Sequence, residues 1–489
     1  MLNYVSTKGG IAAVDFETAI LQGFAEDGGL FVPEHIPAVT KAQLCQWSEL
    51  SFNDLAFEIL SLYIDVSIIP EGDLKQLIET STGTFSHPDI VPVVTLDSKT
   101  NHFAMELFHG PTLSFKDIAM GFLMNTMDYF LQRKGASVSL LLATTGDTGP
   151  AAAYASRGKK TIDCWPLYPS GFISEEQTRQ MTTLDEDNVH PIAVENCPNG
   201  GDDLDIVIAQ LFSDPKLVKD LKLSSVNSIN WCRVMFQSIH YFYGYFQVAK
   251  KIEEEVIFSV PTGAFGHLFA GYLAREMGLP IATFICANNR NGAVHQVFEN
   301  AVLSKHILQK TPSSAIDITQ PYNFWRFLYF VSGRDSKRVT QWMSDYLEQG
   351  YVEFDDMTMK SMKQGVTSAA ISDEETLSTI ARVYQGSAHY LLDPHGAVAV
   401  AAANKLSLNL SCSTAIISLL TAHPAKFPEV TRQALQPDDS LPTQAIENSI
   451  EKMKCQTQKM LVCDYSELRD VLLVEMAKTE HKQVGCVVQ

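Results

Sequence analysis

Apolar runs of strand length alternate with stretches of helical period along most of this chain, but only from about residue 96 onward. Before that point the pattern is mainly helical with extended pieces. Phe16 to Leu21 reads as a helix, and Asp27-Gly-Gly-Leu-Phe-Val-Pro33 as a turn entering an extended segment. Beyond it, Val138-Ser-Leu-Leu-Leu-Ala143 and Val256-Ile-Phe-Ser-Val260 are predicted as buried strands. A helix is expected from Ala151 to Ser156, and another after Gly266 with apolar sides at Leu268, Tyr272 and at Phe269, Leu273, Met277. Such alternation marks an α/β fold with a parallel sheet. Ser372-Asp-Glu-Glu375 ahead of Leu377, Ile380 and Ala381 predicts a capping box, with Gly386 as the stop. Ala397 to Ala403 predicts a small-residue helix and Thr414 to Thr421 a late buried strand. After Pro428 the chain turns polar and then amphipathic, and a frayed tail is expected beyond Lys478. Three stretches follow: 1–95 as an N-terminal unit, 96–430 as the core and 431–489 as an extension.

Length and charge narrow the function. A chain of 489 residues is too long for one simple core, so two or three domains are expected. The 46% apolar and 19% charged shares are those of an ordinary soluble protein. A net charge of −19 argues against nucleic acid or an anionic membrane as partner, so a local cluster of donors must hold any anionic ligand. No run approaches the roughly 20 apolar residues of a membrane span. The N-terminus has no signal-peptide pattern. Nine cysteines without CxxC spacing fit reduced thiols and a cytoplasmic location. No HExxH, EF-hand, Walker or GxSxG motif occurs, so no metal site is expected.

The best chemical lead is His109-Gly-Pro-Thr-Leu-Ser-Phe-Lys-Asp117, which sets Lys116 between a turn and the apolar segment Ile118 to Leu131. Partial burial lowers an amine's pKa and suits it to Schiff-base chemistry with an aldehyde cofactor. The bland reading is a solvated helix start where Lys116 pairs with Asp117. Two further loops share a strand–glycine–helix form that gathers backbone N–H groups for anions: Thr144-Thr-Gly-Asp-Thr-Gly149 and Thr262-Gly-Ala-Phe-Gly266. Both could equally be tight packing turns. Leu223-Ser-Ser-Val-Asn-Ser-Ile-Asn-Trp-Cys-Arg233 reads either as a polar ligand cluster or as a helix cap from Ser228 or Asn230 with Arg233 solvated. Thr421-Ala-His-Pro-Ala-Lys-Phe427 ends the late strand with a hydroxyl, an imidazole and an amine, though His423 could be purely structural.

The order of these motifs resembles that of the threonine synthase family of fold-type II pyridoxal phosphate enzymes. The resemblance runs from Tyr4 to about Val430 and includes Gln22-Gly-Phe-Ala-Glu-Asp-Gly-Gly-Leu-Phe-Val-Pro33 and Ala315-Ile-Asp-Ile-Thr-Gln-Pro-Tyr-Asn323. It implies a tryptophan synthase beta-like fold, with two parallel-sheet α/β domains, the cofactor in the cleft between them and a helical N-terminal unit. It implies pyridoxal 5'-phosphate carried by Lys116, with its phosphate in a cup of Gly263, Ala264, Phe265, Gly266 and His267. The Thr421 hydroxyl would then meet the pyridine nitrogen. The resemblance further implies a substrate carboxylate held by Thr145, Gly146, Asp147 and Thr148. Asn227, Ser228, Asn230, Arg233 and Lys426 are candidates for the substrate's phosphate. The implied partner is a small phosphorylated amino acid, bound by a monomer or homodimer.

The implied reaction is γ-elimination of phosphate from O-phospho-L-homoserine, with water addition giving L-threonine. The cup departs from the family's usual Gly-Asn-Phe-Gly-Asp by carrying Ala264 and His267. In this, and at Leu44-Cys-Gln-Trp47, Gln180-Met-Thr-Thr183 and Asp202-Asp-Leu-Asp205, the chain looks more like the animal threonine synthase-like proteins. Those are associated with release of 2-oxobutyrate, phosphate and ammonia. The motifs are also compatible with a serine/threonine dehydratase, or with a cofactor-binding protein without turnover.

Overall fold

Two parallel sheets, each completed by a strand from far along the chain, organise the protein, as a computed structural model describing residues 2–407, 414–436 and 440–485 shows. The larger has the order Val366–Ala370, Ile281–Asn288, Val256–Pro261, Ala415–Leu420, His102–Glu106, Val93–Asp97. Only its last pair is antiparallel. The smaller runs Leu461–Asp464, Ile192–Glu195, Ile162–Pro169, Val138–Ala143, Leu223–Ser224, all parallel. Val256–Pro261 is buried at every position, as a strand covered on both faces by helices requires. This is the α/β architecture that the alternating pattern implied.

The helix Lys116–Lys134 leaves the large sheet after His102–Glu106 and delivers the chain to Val138–Ala143 of the small one. Its first turn therefore stands where the two sheets meet. Gly135, at φ 59°, ends it in the left-handed conformation that favours glycine. The helix Trp231–Val248 packs against both Lys116–Lys134 and Gly266–Glu276. In the N-terminal unit, Tyr4–Ser6 pairs antiparallel with Phe31–Pro33. Its helices Phe52–Ser61 and Glu71–Thr82 brace Trp231–Val248 and Lys116–Lys134 respectively.

Three details differ from the pattern's expectation. The helix expected from Ala151 begins at Thr148, because Pro150 sits in the first turn, where its missing N–H costs no intrahelical bond. The strand Val93–Asp97 straddles the 95/96 boundary. The helix Leu468–Gly485 runs on past Lys478, with Leu468, Leu472 and Met476 at helical spacing in the small sheet's apolar cluster, and the part of the expected frayed tail beyond Gly485 lies outside the described residues. The same C-terminal segment supplies the edge strand Leu461–Asp464.

Candidate active site

The loop that presents Lys116 is stitched to the segment after the last strand of the large sheet. Phe115 N–H donates to the Thr421 carbonyl at 2.8 Å, and His423 N–H to the Leu113 carbonyl at 3.0 Å. Leu113 takes φ 59°, a costly conformation for a branched residue that these bonds hold in place. Asp117 turns away from Lys116 and closes the loop, accepting from Thr112 N–H at 2.9 Å and from its hydroxyl at 2.6 Å. A Cβ at Gly110 would stand 2.4 Å from the Cβ of Asp117, so only glycine allows this closure. The solvated Lys116–Asp117 pair is thus replaced by a buried carboxylate spent on backbone geometry. Burial, with Arg233 nearby and Asp147 opposing, pushes the Lys116 amine down to about 7. Its Nζ lies 4.5 Å from the centre of the Phe115 ring.

Opposite this loop, Thr262 to Gly266 ends the strand Val256–Pro261 and opens the helix Gly266–Glu276. Phe265 adopts φ 66° with its ring against Phe324 and Phe327. Asn323 N–H grips the Ala264 carbonyl at 3.0 Å. Phe269 N–H bonds the Phe265 carbonyl. The preceding amides of Gly266, His267 and Leu268 lie in the turn that has no intrahelical acceptor. Those amides and the helix dipole favour an anion. The His267 ring stacks on Phe115 at 4.4 Å and so joins the cup to the lysine loop.

Two cations and one carboxylate set the electrostatics. Arg233 is buried; its Nη1 donates to the Val226 carbonyl at 3.1 Å, while Nε and Nη2 have no partner among the described residues. Burial pushes it down to about 10, still a cation near neutral pH. A buried guanidinium with two unused donors is suited to an anionic ligand. Asp147 lies 2.7 Å from the fully buried Lys426 and accepts from Gln177 at 2.9 Å. Burial works against its ionisation, but Lys426 outweighs that and holds the carboxyl below its usual range.

One cleft gathers Lys116, Asp147, Ser228, Arg233, the Gly263–His267 turn and Thr421. Thr145, Gly146, Thr148, Asn227, Asn230 and Lys426 do not line it. Asn230 caps Trp231–Val248 by accepting from Cys232 N–H, and its amide donates to the Ile20 carbonyl at 2.9 Å. Lys426 is committed to Asp147 and to the Thr112 carbonyl. Both are corrected from candidate ligands to structural ties. The reading of Arg233 as solvated fails too, since its helix faces the junction of the sheets.

Gln237 and His395 also line the cleft and were missed. Arg233, Gln237 and His240 recur at i, i+4 and i+7 on a mostly apolar helix, a polar stripe that could have flagged Gln237. His395 is held by Asp393 at 2.8 Å, and its Nε2 accepts from Ala315 N–H, steadying the turn Ser314–Ile316 over the cleft. Among the described residues, no group of three or more His, Cys, Asp or Glu could hold a metal. No described helix is long and apolar enough to cross a membrane.

These donors fit an anionic aldehyde cofactor: an amine near neutrality, unpaired buried donors and free helix-start amides. The comparisons agree. Family models for the threonine synthase N terminus, pyridoxal-phosphate dependent enzymes and the threonine synthase C-terminal region match residues 3–82, 90–421 and 396–471. The threonine synthase of Pseudomonas aeruginosa is 39% identical, covering 88% of this chain and 90% of that one. Threonine synthase-like 2 of Xenopus laevis is 42% identical over 82% and 83% of the two chains. The yeast threonine synthase structure superposes with a TM-score of 0.90 at 35% identity, covering 98% and 99%. A pyridoxal-phosphate-bound threonine synthase from Brucella melitensis gives 0.87 at 34%, covering 96% and 99%. Sequence, fold and cleft chemistry converge, and the chain belongs to the threonine synthase family of pyridoxal-phosphate dependent enzymes.

Proposed function

We propose that the protein eliminates phosphate from O-phospho-L-homoserine and directs water to the product, giving L-threonine. The observation that carries this reading is the Lys116 amine, lowered to about 7, in one cleft with an anion-binding helix start and the half-paired cation Arg233. Two anion sites beside a neutral-leaning base match a phosphorylated cofactor and a phosphorylated substrate. Bound pyridoxal phosphate supplies the electron-withdrawing ring that makes the substrate's Cα–H acidic. Lys116 Nζ, once free, takes the Cα proton; a second proton must leave Cβ for the γ-phosphate to depart, and a proton at Cγ with water at Cβ then completes threonine. Arg233 Nε and Nη2 bind the γ-phosphate and stabilise its charge as it leaves. Asp147, neutralised by Lys426, leaves the carboxylate-binding side of the cleft without net negative charge. Thr421 offers a neutral hydroxyl to the ring nitrogen, so control of protons stays with the protein's groups. The amides of Gly266, His267 and Leu268 hold the cofactor's phosphate.

A second reading, release of 2-oxobutyrate, phosphate and ammonia, is favoured by Ala264, whose side chain offers no donor in the cup. Small displacements of the attacking water, on the order of 1 Å, change such outcomes by about 10²-fold. Incubation with O-phosphohomoserine, measuring phosphate, threonine and 2-oxobutyrate together, decides the matter. Phosphate with threonine is expected, and phosphate with 2-oxobutyrate moves the assignment to a phospho-lyase. No phosphate release rejects both, and faster turnover of free serine or threonine points to a dehydratase.

A further inference from the structure

Behind the cup, His240 and His267 meet with their Nε2 atoms 2.9 Å apart. Both rings are buried, and both Nδ1 atoms lack a partner among the described residues. Burial drives His240 down to about 3 and, aided by His240 and Lys116, keeps His267 well below its ordinary value. The pair is therefore neutral near pH 7 and shares one N–H. In such a pair one ring donates from Nε2, and the ring that accepts there must carry its own proton on Nδ1.

The surroundings choose which ring that is. A buried N–H without an acceptor is rarer than an unpaired acceptor. His240 lies within the helix Trp231–Val248, fully enclosed and off the cleft wall, so an Nδ1–H there would be stranded. His267 lies on the cleft wall in the first turn of Gly266–Glu276, where an anion is favoured. Its ring is stacked on Phe115, and the Tyr241 hydroxyl anchors its backbone carbonyl at 2.9 Å. The proton belongs on His267 Nδ1, and His240 donates to His267.

We propose that His267 is a neutral side-chain donor, through Nδ1–H, to the phosphate monoester of the cofactor. His240 is the positioning residue that fixes this tautomer. The inference rests on the pyridoxal phosphate reading above and adds a side-chain contact to the backbone cup.

The test compares holoenzyme dissociation constants for pyridoxal 5'-phosphate with those for pyridoxal, which lacks the phosphate. His267→Leu should weaken the phosphate form by about tenfold or more, the scale of a hydrogen bond to a charged group, and leave pyridoxal unchanged. His267→Asn, whose amide nitrogen can stand in for Nδ1, should recover most of the loss. Imidazole 15N spectra should show His267 as the Nδ1–H tautomer in the wild type and a shifted population in His240→Phe. Equal weakening of both ligands, no weakening, or an Nε2–H tautomer at His267 would overturn the proposal. Should the variants fail to fold, the wild-type tautomer decides. A wild type that binds no pyridoxal phosphate instead rejects the functional reading itself, and this inference with it.

Discussion

Two loops of the same local design, Thr144–Gly149 and Thr262–Gly266, differ in how they are held from within the protein. In the first, the Thr144 hydroxyl accepts from Gly146 N–H at 3.1 Å and Gly149 N–H at 2.9 Å. Its one charged side chain, Asp147, is paired with Lys426 and Gln177. Two of the loop's amides and its carboxylate are thus spent within the protein. In the second, the loop is clamped through the Ala264 carbonyl and the Phe265 ring, and His267 Nδ1 has no partner among the described residues. A strand–glycine–helix signature therefore does not say whether its donors are spent. What packs behind the loop decides that.

The sharpest way to break the contrast is Lys426→Met, which strands Asp147 as an uncompensated buried charge. A loss of about 3–5 kcal/mol is expected in denaturant unfolding, far more than any change in cofactor affinity. A loss below about 1 kcal/mol would mean that Asp147 is not locked. Next in size is Gly146→Ala. Its φ of 142° and a Gln177 amide 2.4 Å from the new Cβ predict about 1–3 kcal/mol of destabilisation, read from the shift in thermal midpoint. Gly266→Ala meets Asn323 only at 2.9 Å without a positive φ, and should cost less stability while weakening cofactor binding.

The smallest effect concerns the amine between the loops. Lys116 falls from 10.5 to about 7, so its reaction with added pyridoxal should follow an ionisation near 7. Arg233→Met removes a cation that lowers it, and the midpoint should rise; an unchanged or lower midpoint counts against Arg233. Between about 7 and 10.5 the unfolded chain holds a proton that the folded amine has lost. Stability from this group therefore rises with pH across that window, and Lys116→Met should flatten the rise.

Much of this was legible in residue order. Apolar runs located the strands Val138–Ala143 and Val256–Pro261, and Ser372 with Glu375 located a capped helix, because these signals act between near neighbours. The motif order also pointed to Lys116, the cup and Thr421, which the fold brings to one cleft. Asn230 and Lys426 misled because a polar residue beside a motif can serve either a ligand or the backbone. Only their partners, Ile20 some 210 positions away and Asp147 from the other sheet's loop, tell which.

The sequence by itself determined the local elements and marked out two strand–glycine–helix loops and Lys116 as the candidates for chemistry. These depend on backbone preference and side-chain type over a few residues. Only the tertiary structure decided that Asp147 is neutralised, that Arg233 is buried with donors to spare, and that His267 leans on His240. Each of those depends on burial and on a partner from a distant segment, which raises or removes the cost of leaving a polar group unpaired.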